Sequence, residues 1–218
     1  MAQDYASSIA GAAIRVTRLN PDGTLATGET ASYTMESFIS VSFTPEYEEG
    51  DEFVQKDANG RVCVTYKAPD TLKRVTLEVA ICNPDPEFTE ITSGGTILSD
   101  ESDQSIGYAA PLVGVDATPN GVALEVWSRA IKNGKNAPTN PYWHWIFPYV
   151  VLRPSGDRTI ENGLLANTFE GWGVGNEGFG TGPGGDWLFA DAASRPYAYA
   201  RSATAPTGNG YVEVAPTP

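Results

Sequence analysis

Residues 74–81 of the chain read RVTLEVAI, and this stretch gives the clearest indication of the fold class. Its apolar residues occupy every second position, at Val75, Leu77, Val79 and Ile81. The positions between them are held by Arg74, Thr76, Glu78 and Ala80. Because successive side chains of a β-strand point to opposite faces of the sheet, this period of two predicts a strand with one apolar face and one polar face.

The same alternation recurs along the chain. It predicts strands at residues 14–19, 39–44, 62–66 and 122–127, and a last strand near residues 211–214. In the second of these, Ile39, Val41 and Phe43 form the apolar face. Residues 20–23, NPDG, predict a turn, because proline fixes φ and glycine accepts a positive φ.

Residues 143–152, WHWIFPYVVL, are apolar throughout apart from His144. A continuous apolar run of this length predicts a strand that is covered on both faces. Pro148 cannot donate a backbone hydrogen bond, so we expect it at a sheet edge or at a bulge.

One helix is predicted after residue 85. Asp85 is a suitable N-cap, Pro86 suits the first helical position and Glu87 favours the positive end of the helix. Phe88 and Ile91 lie three positions apart on one face, and residues 94–95, both glycine, end the helix. A second short helix is indicated near residues 159–168.

These elements predict an all-β fold (α+β at most), a β-sandwich or barrel with one short flanking helix and long loops. We expect one domain over residues 1–218. The irregular parts are predicted to be a long loop at residues 45–60, a glycine-rich loop at residues 171–185 and an extended C-terminal tail at about residues 200–218.

Charge excludes several classes of partner. The chain has 14 basic and 27 acidic residues, a formal net charge of −13. Affinity for nucleic acids and for anionic membranes depends on clustered lysine and arginine, so neither is an expected binding partner. No apolar run is long enough to span a bilayer. The chain opens without a secretion signal, so Cys63 and Cys82 are expected to be reduced core residues.

The sequence offers little for catalysis or metal binding. His144 is the one histidine, and we expect a packed strand residue rather than a general base. Calcium could use the acidic stretch at residues 46–53 or the stretch at residues 99–103, but neither has the spacing of an EF-hand loop. Residues 173–178 fit G-x-G-x-x-G, but the glycines that follow cannot start a helix. We therefore predict no enzyme activity, no cofactor and no metal.

Five tryptophans beside paired carboxylates leave a carbohydrate-binding module open as an alternative. Trp127, Trp143 and Trp145 belong to predicted strands, however, and most of these rings are expected in the core or at an interface. A loop-rich, acidic β domain without a clear site is typical of assembly proteins.

The order of features resembles a known family. The quoted pieces are GAAIRVTRLNPDGTL at residues 11–25, SFISVSFTPEYEEGDEF within residues 37–95, and WHWIFPYV at residues 143–150. Together they resemble the major tail proteins, or tail tube proteins, of long-tailed phages that infect actinobacteria. The resemblance covers roughly residues 11–170, and its most specific piece is residues 44–95.

The resemblance implies a small β-sandwich or barrel that forms hexameric rings, which stack into a hollow tube and conduct the genome to the host. It implies a virion component that assembles in the host cytoplasm. Its partners would be further copies of itself and other tail proteins, namely the tape measure, the tail terminator and the baseplate or tip. Phage DNA would pass through without specific binding. Other tail or head–tail completion proteins with related folds are the alternative within this interpretation.

Two sets of residues are candidates for the assembled state. Inter-ring contacts are assigned to the acidic stretch, Glu46, Tyr47, Glu48, Glu49, Gly50, Asp51, Glu52 and Phe53. Lumen-facing positions are assigned to the polar faces of two strands, Ser40, Ser42, Thr44, Thr76 and Glu78. Acidic side chains there would repel the DNA phosphates, and neutral ones would not attract them, so DNA would pass without binding.

Overall fold

The computed structural model describes residues 6–102, 104–116, 120–156, 167–187, 189 and 191–215. The described residues contain one α-helix, α1 (Pro86–Ser93), and two short 3₁₀ turns at Glu177–Phe179 and Ala192–Ser194. The strands, in chain order, are β1 (Ser7–Arg18), β2 (Gly28–Met35), β3 (Phe38–Glu48), β4 (Glu52–Lys56), β5 (Val62–Lys67), β6 (Thr71–Ile81), β7 (Thr96–Ser99), β8 (Ser105–Ala109), β9 (Val122–Lys132), β10 (Lys135–Asn136), β11 (Tyr142–Ser155), β12 (Asn167–Val174), β13 (Ala198–Ser202) and β14 (Gly210–Val214).

Ten of these strands form one antiparallel sheet. Its order is β14-β2-β1-β9-β11-β12-β6-β3, with β10 paired to β9 and β13 paired to β11. The other four strands form two separate hairpins, β4–β5 and β7–β8. The prediction of an all-β fold with one short helix is confirmed.

The main core joins strands from distant parts of this sheet. It takes buried side chains from β1, β2, β6, β9, β11, β12 and α1. Tyr33 and Met35 of β2 share this core with Val75 and Ile81 of β6, although four strands separate β2 from β6 in the sheet. The sheet therefore curls around its apolar face. Each fully buried aliphatic or aromatic side chain contributes about 1.5–3 kcal/mol relative to exposure.

Strand β11 is central and covered on both faces, as the apolar run 143–152 predicts. Phe147, Val150 and Leu152 lie in the main core, whereas Ile146 lies in a second buried cluster. The core residue before Pro148 has an odd number, Phe147, whereas those after it have even numbers. This change occurs because the pairing of β11 with β9 is irregular between Phe147 and Val150. Pro148 lies within that irregularity, which is where a residue without an N–H is tolerated.

Helix α1 has the ends that the sequence predicts. The Asp85 side chain accepts a hydrogen bond from the Phe88 N–H at 2.8 Å. Phe88 and Ile91 are buried in the main core. Gly94 ends the helix with φ +69°, and its N–H donates to the Glu90 carbonyl oxygen at 2.8 Å.

The predicted long loop at residues 45–60 is wrong, because most of it is strand. β3 continues to Glu48 by pairing with β6, where Glu48 lies opposite Thr71. β4 then pairs with β5, with Phe53 opposite Tyr66. The polar composition of the segment hid the end of β3 and the whole of β4, the first strand of an exposed hairpin.

The predicted glycine-rich loop and C-terminal tail are also wrong in part. Residues 171–174 belong to β12, and β13 and β14 extend into the supposed tail. The strand expected near residues 211–214 is confirmed as β14, which pairs with β2. The glycines that follow β12 allow close contacts, since a Cβ on Gly175 would lie 2.1 Å from the Ala193 carbonyl oxygen. Most of the second predicted helix lies outside the described residues, and Asn167 and Thr168 begin β12.

Two smaller predictions fail for local reasons. Ile39 is exposed, because a bulge between Phe38 and Ser40 turns Phe38 toward the core in its place. Cys63 is exposed on β5 rather than buried in a core, and Cys82 is half-buried. Alternation in the sequence predicts which face of the sheet a side chain lies on only where the strand pairing has no bulge.

Gly171 gives a test of the β11–β12 pairing. A Cβ at this position would lie 1.8 Å from the Val151 carbonyl oxygen. We predict that Gly171→Ala lowers the free energy of unfolding by about 1–3 kcal/mol or more, as measured by urea denaturation. Gly107→Ala is the control, because its Cβ would meet Leu98 at an ordinary 3.5 Å. Equal stability of the two variants would contradict the pairing.

Candidate assembly surface and buried charge network

The hairpin of β4 and β5, residues 52–67, is called the arm here, and it has one apolar face. Strand pairing places Phe53 opposite Tyr66, and the alternation of β5 puts Val62 and Val64 on the same face as Tyr66. All four side chains are exposed, Phe53 to 56% and Tyr66 to 60%. A two-stranded hairpin is marginally stable alone in water, and a contiguous exposed apolar face is typical of an interaction site.

The tip of the arm is held by its own turn. Asp57 accepts hydrogen bonds from the N–H groups of Asn59 and Arg61, both at 2.8 Å. Gly60 has φ +78°, which favours glycine. The tip therefore has a defined shape that its own residues set.

The acidic stretch at residues 46–53 does not form one site. Glu46, Tyr47 and Glu48 end β3, whereas Glu52 and Phe53 begin β4. Arg74 donates to the Glu46 carboxylate at 2.5 and 3.1 Å, and this hydrogen bond lowers the pKa of Glu46. Glu48, Glu49 and Asp51 are exposed. In the described part of the chain, no three carboxylates of this stretch are close enough to one another to bind one metal ion.

Gly50 fixes the joint at the base of the arm. Its N–H donates to the Asp70 side chain at 3.1 Å, and a Cβ here would lie 2.0 Å from the Ala68 carbonyl oxygen. The second acidic stretch is also a turn, because Asp100 accepts from the N–H groups of Ser102 and Gln104. Its last residue, Asp103, lies outside the described residues.

The polar positions predicted to face a lumen do share one exposed face. Ser42 lies opposite Glu78 and Thr44 opposite Thr76, with Ser40 further along β3. The face continues on β12 and β11, where Arg153 and Glu170 form an exposed ion pair at 2.9 Å. A cleft of about 600 Å³ lies on this face. The structure brings the five residues together, and their place in an assembly stays a prediction.

Tryptophans provide no row of exposed rings. Trp127 and Trp187 are buried, and Trp143 and Trp145 are half-buried against the sheet. Trp172 alone among the five is exposed, to 38%, and its ring packs on Tyr149 with centroids 5.9 Å apart. The expectation that most tryptophans serve packing is confirmed.

A buried charge network lies on the outer face of β1, β9 and β11. Arg15 donates two hydrogen bonds to the Glu125 carboxylate, at 2.6 and 2.8 Å. The same carboxylate contacts His144 Nε2 at 3.0 Å, and Asp186 Oδ2 lies 3.9 Å from His144 Nδ1. The Trp127 ring contacts both basic side chains, with His144 stacked on it at 4.0 Å and Arg15 5.2 Å from its centroid.

Sequence reasoning missed this network. The alternation of residues 122–127 predicts Glu125 on the face opposite Val122, Leu124 and Val126 and gives no sign of burial, yet Glu125 is fully buried. The segment after β12 covers that side with Phe179 and Trp187, which form a second core cluster with Ile146. A glutamate between apolar neighbours in a strand carries no local signal of such burial, because its cover and its main partner come from distant parts of the chain.

The network does not suit catalysis or a metal ion. His144 is 2% exposed and stacked on Trp127, so a substrate cannot reach its ring. Glu125, His144 and Asp186 are close enough to hold an ion by distance alone. However, Arg15 and His144 occupy both oxygens of Glu125, and the guanidinium would repel a second cation. The arrangement is therefore a structural ion-pair network.

Opposing effects set the pKa of Glu125. Burial raises the pKa of this carboxyl, but the charge of Arg15 and the hydrogen bonds from His144 and Arg15 more than offset burial, so the pKa lies below its ordinary value. Burial likewise lowers the pKa of Arg15, and the Glu125 charge reverses this effect. Both groups therefore stay charged inside the protein.

Comparisons with known proteins identify no family. No protein-family model matches the chain, and no curated protein matches it. Among solved structures, the chain is similar to a chain in the cryo-EM structure of the anti-feeding prophage (AFP) baseplate, 6-fold symmetrised. The identity is 11% and the TM-score 0.32, over 78% of this chain and 93% of that chain. A likeness this weak carries no argument about function.

A membrane-spanning helix is not found in the described part of the chain. Its one α-helix has eight residues, whereas a helical span needs about 20.

Arg15 is the first test of the network. We predict that Arg15→Met lowers the free energy of unfolding by about 3–5 kcal/mol, because Glu125 stays buried without its main partner. Arg153→Met, which removes an exposed pair, should cost at most about 1 kcal/mol. Urea denaturation near neutral pH gives both values. The double variant R15M/E125M should regain most of the loss, and failure to do so would contradict the ion-pair explanation.

The pH dependence of stability is the second test. Because the folded pKa of Glu125 is depressed, its stabilising contribution is present above the unfolded pKa of about 4.3 and is lost as pH falls through the folded pKa. We therefore expect the Tm difference between wild type and Glu125→Gln to be large near neutral pH and to shrink in acid. Thermal melts across this range measure it, with the exposed Glu170→Gln as control. A Tm difference independent of pH would contradict the assignment.

Proposed function

We propose that the chain is a structural virion protein that assembles with copies of itself into stacked hexameric rings, forming a phage tail tube. The observation that carries self-assembly is the apolar face of the arm, where Phe53, Val62, Val64 and Tyr66 lie exposed. Among the described strands, β4 and β5 pair only with each other. A second copy would bury this face and stabilise the hairpin at the same time.

Open sheet edges support the same proposal. Among the described residues, β3 pairs along one side with β6, and β14 pairs along one side with β2. The outer edge of each strand therefore has unpaired backbone N–H and C=O groups. A strand of a neighbouring chain can form hydrogen bonds with these groups. The arm and the open sheet edges are two different kinds of contact surface. A chain with two such surfaces can make one contact around a ring and another between rings.

The tail tube itself rests on the resemblance of residues 11–170 to the tail tube proteins. The all-β fold with one capped helix agrees with that resemblance. On this proposal the protein belongs to the virion, assembles in the host cytoplasm and meets the tape measure, terminator and baseplate proteins. Its role is structural rather than catalytic, in line with a histidine that is buried in an ion-pair network.

The polar face with Ser40, Ser42, Thr44, Thr76 and Glu78 is proposed to line the tube. These side chains are exposed on neighbouring strands, and most of them are neutral. With a net charge of −13 per chain, the assembled wall would repel DNA phosphates rather than bind them. DNA would then slide without release of bound counterions.

The arm provides the test. We expect the purified chain to form rings or tubes in negative-stain electron microscopy as its concentration rises. Phe53→Ser with Tyr66→Ser should raise the concentration required by about tenfold to a hundredfold, because two partly exposed aromatic side chains lose their burial in the contact. Sedimentation velocity measures the shift, and circular dichroism checks that the variant is folded.

Val54→Ser is the matched control, because Val54 lies on the opposite face of the same strand. It should leave assembly unchanged. A wild-type chain that stays monomeric at every soluble concentration, or a double variant that assembles like wild type, would refute the proposal. Single closed rings that never stack would instead fit a tail-terminator or head–tail completion protein.

A further inference from the structure

The arm needs a receiving surface, and its charge restricts what that surface can be. In a chain of net charge −13, residues 52–67 contain three basic and two acidic residues, a formal net charge of +1. Lys56 and Arg61 flank the tip and are exposed. The Asp57 carboxylate between them accepts the turn N–H groups. The arm therefore presents an apolar face with a cationic tip.

A second exposed surface has the opposite charge. Residues 96–102 and 104–116, called the knob here, comprise the β7–β8 hairpin and the segment after it. They contain three acidic residues and no lysine or arginine. Asp100 and Glu101 at the hairpin turn are exposed. Apolar side chains of the knob are exposed as well, Leu98 and Ile106 in its hairpin and Leu112 and Val113 in the segment after it.

The knob is anchored to the body of the protein. The Tyr108 hydroxyl donates to the Gly94 carbonyl oxygen at 2.7 Å, next to the end of α1. Ile97 and Tyr108 face each other across the hairpin and are half-buried, whereas Leu98 on the other face is exposed. The knob is thus a fixed surface that combines exposed apolar side chains with negative charge.

Other clefts lack this complementarity. The cleft of about 320 Å³ beside Phe38 and Trp145 is apolar but has no ionisable side chain. The cleft of about 540 Å³ beside Tyr197 carries Arg195, which has the same sign as the arm tip. The polar cleft on the β3–β6 face mixes arginine and glutamate. Charge complementarity fixes partner choice and register at an interface, so it distinguishes the knob from these surfaces.

We propose that the arm of one copy docks on the knob of the next copy, with Lys56 and Arg61 against Asp100 and Glu101 and with exposed apolar side chains of the two hairpins in contact. This inference rests on the proposed self-assembly and names the two surfaces that meet. Because the surfaces differ, the contact is heterologous, and repetition produces a ring or a helical stack rather than a closed dimer.

Charge reversal tests the pairing. Lys56→Glu with Arg61→Glu places like charges together and should raise the assembly concentration by about tenfold or more in sedimentation velocity. Glu101→Lys with Ser102→Lys should do the same, while Asp100 is kept because it holds its turn. The chain that carries all four changes should assemble close to wild type. Independent losses without recovery would overturn the docking.

Disulfide trapping provides a second readout. In a background with Cys63→Ser and Cys82→Ser, the pair Val64→Cys and Ile106→Cys should give a ladder of covalent multimers on oxidation. Val64→Cys alone should give no ladder. Ile39→Cys in place of Ile106→Cys is the control, because Ile39 is similarly exposed beside the apolar cleft. A ladder with Ile39→Cys and none with Ile106→Cys would overturn the knob as the receiving surface.

The two proposals fail in different ways. A wild-type chain that never assembles overturns both of them. A wild-type chain that assembles, but shows no charge recovery or no covalent ladder from the Val64→Cys and Ile106→Cys pair, leaves self-assembly standing and overturns the docking of arm on knob.

Discussion

Burial of β11 on both faces determines how the surrounding strands and loops are arranged. A strand inside a sheet needs backbone partners on both edges, and β11 finds them in β9 on one side and in β12 and β13 on the other. Its second apolar face also needs a cover, which the segment with Phe179 and Trp187 supplies. That cover also excludes water from the outer face of β9. The Glu125 carboxylate on this face therefore needs partners inside the protein.

An ion-pair network provides these partners. It connects β1, β9 and β11 with the segment after β12. Arg15 lies opposite Glu125 in the β1–β9 pairing, and His144 lies opposite Trp127 in the β9–β11 pairing. A slip of one residue in either pairing would move a polar side chain of the network into the core without its partner. Such a buried network adds little net stability over an apolar replacement, but loss of one partner is costly. Its effect is to favour one register.

The arm shows the limit of inferring a core from alternation. Val75 and Leu77 in β6 and Val62 and Val64 in β5 follow the same period of two, yet the first pair is buried and the second exposed. The difference is that β6 continues into the curled sheet, whereas β5 pairs with β4 alone among the described strands. An alternating strand therefore predicts an apolar face, which either the same chain or another copy can cover.

Several local features are predictable from short stretches of sequence. The caps of α1, the turn at residues 20–23, the bulge at Pro148, the strand at residues 211–214 and the all-β class depend on residues a few positions apart. Which faces are covered depends instead on contacts made in the folded chain. The exposure of Ile39, the extension of β3 to Glu48 and the burial of Glu125 depend on pairing between distant segments, and Arg15 and Glu125 are 110 positions apart. Periodicity and capping are short-range effects, whereas burial is set by what the rest of the chain places on top.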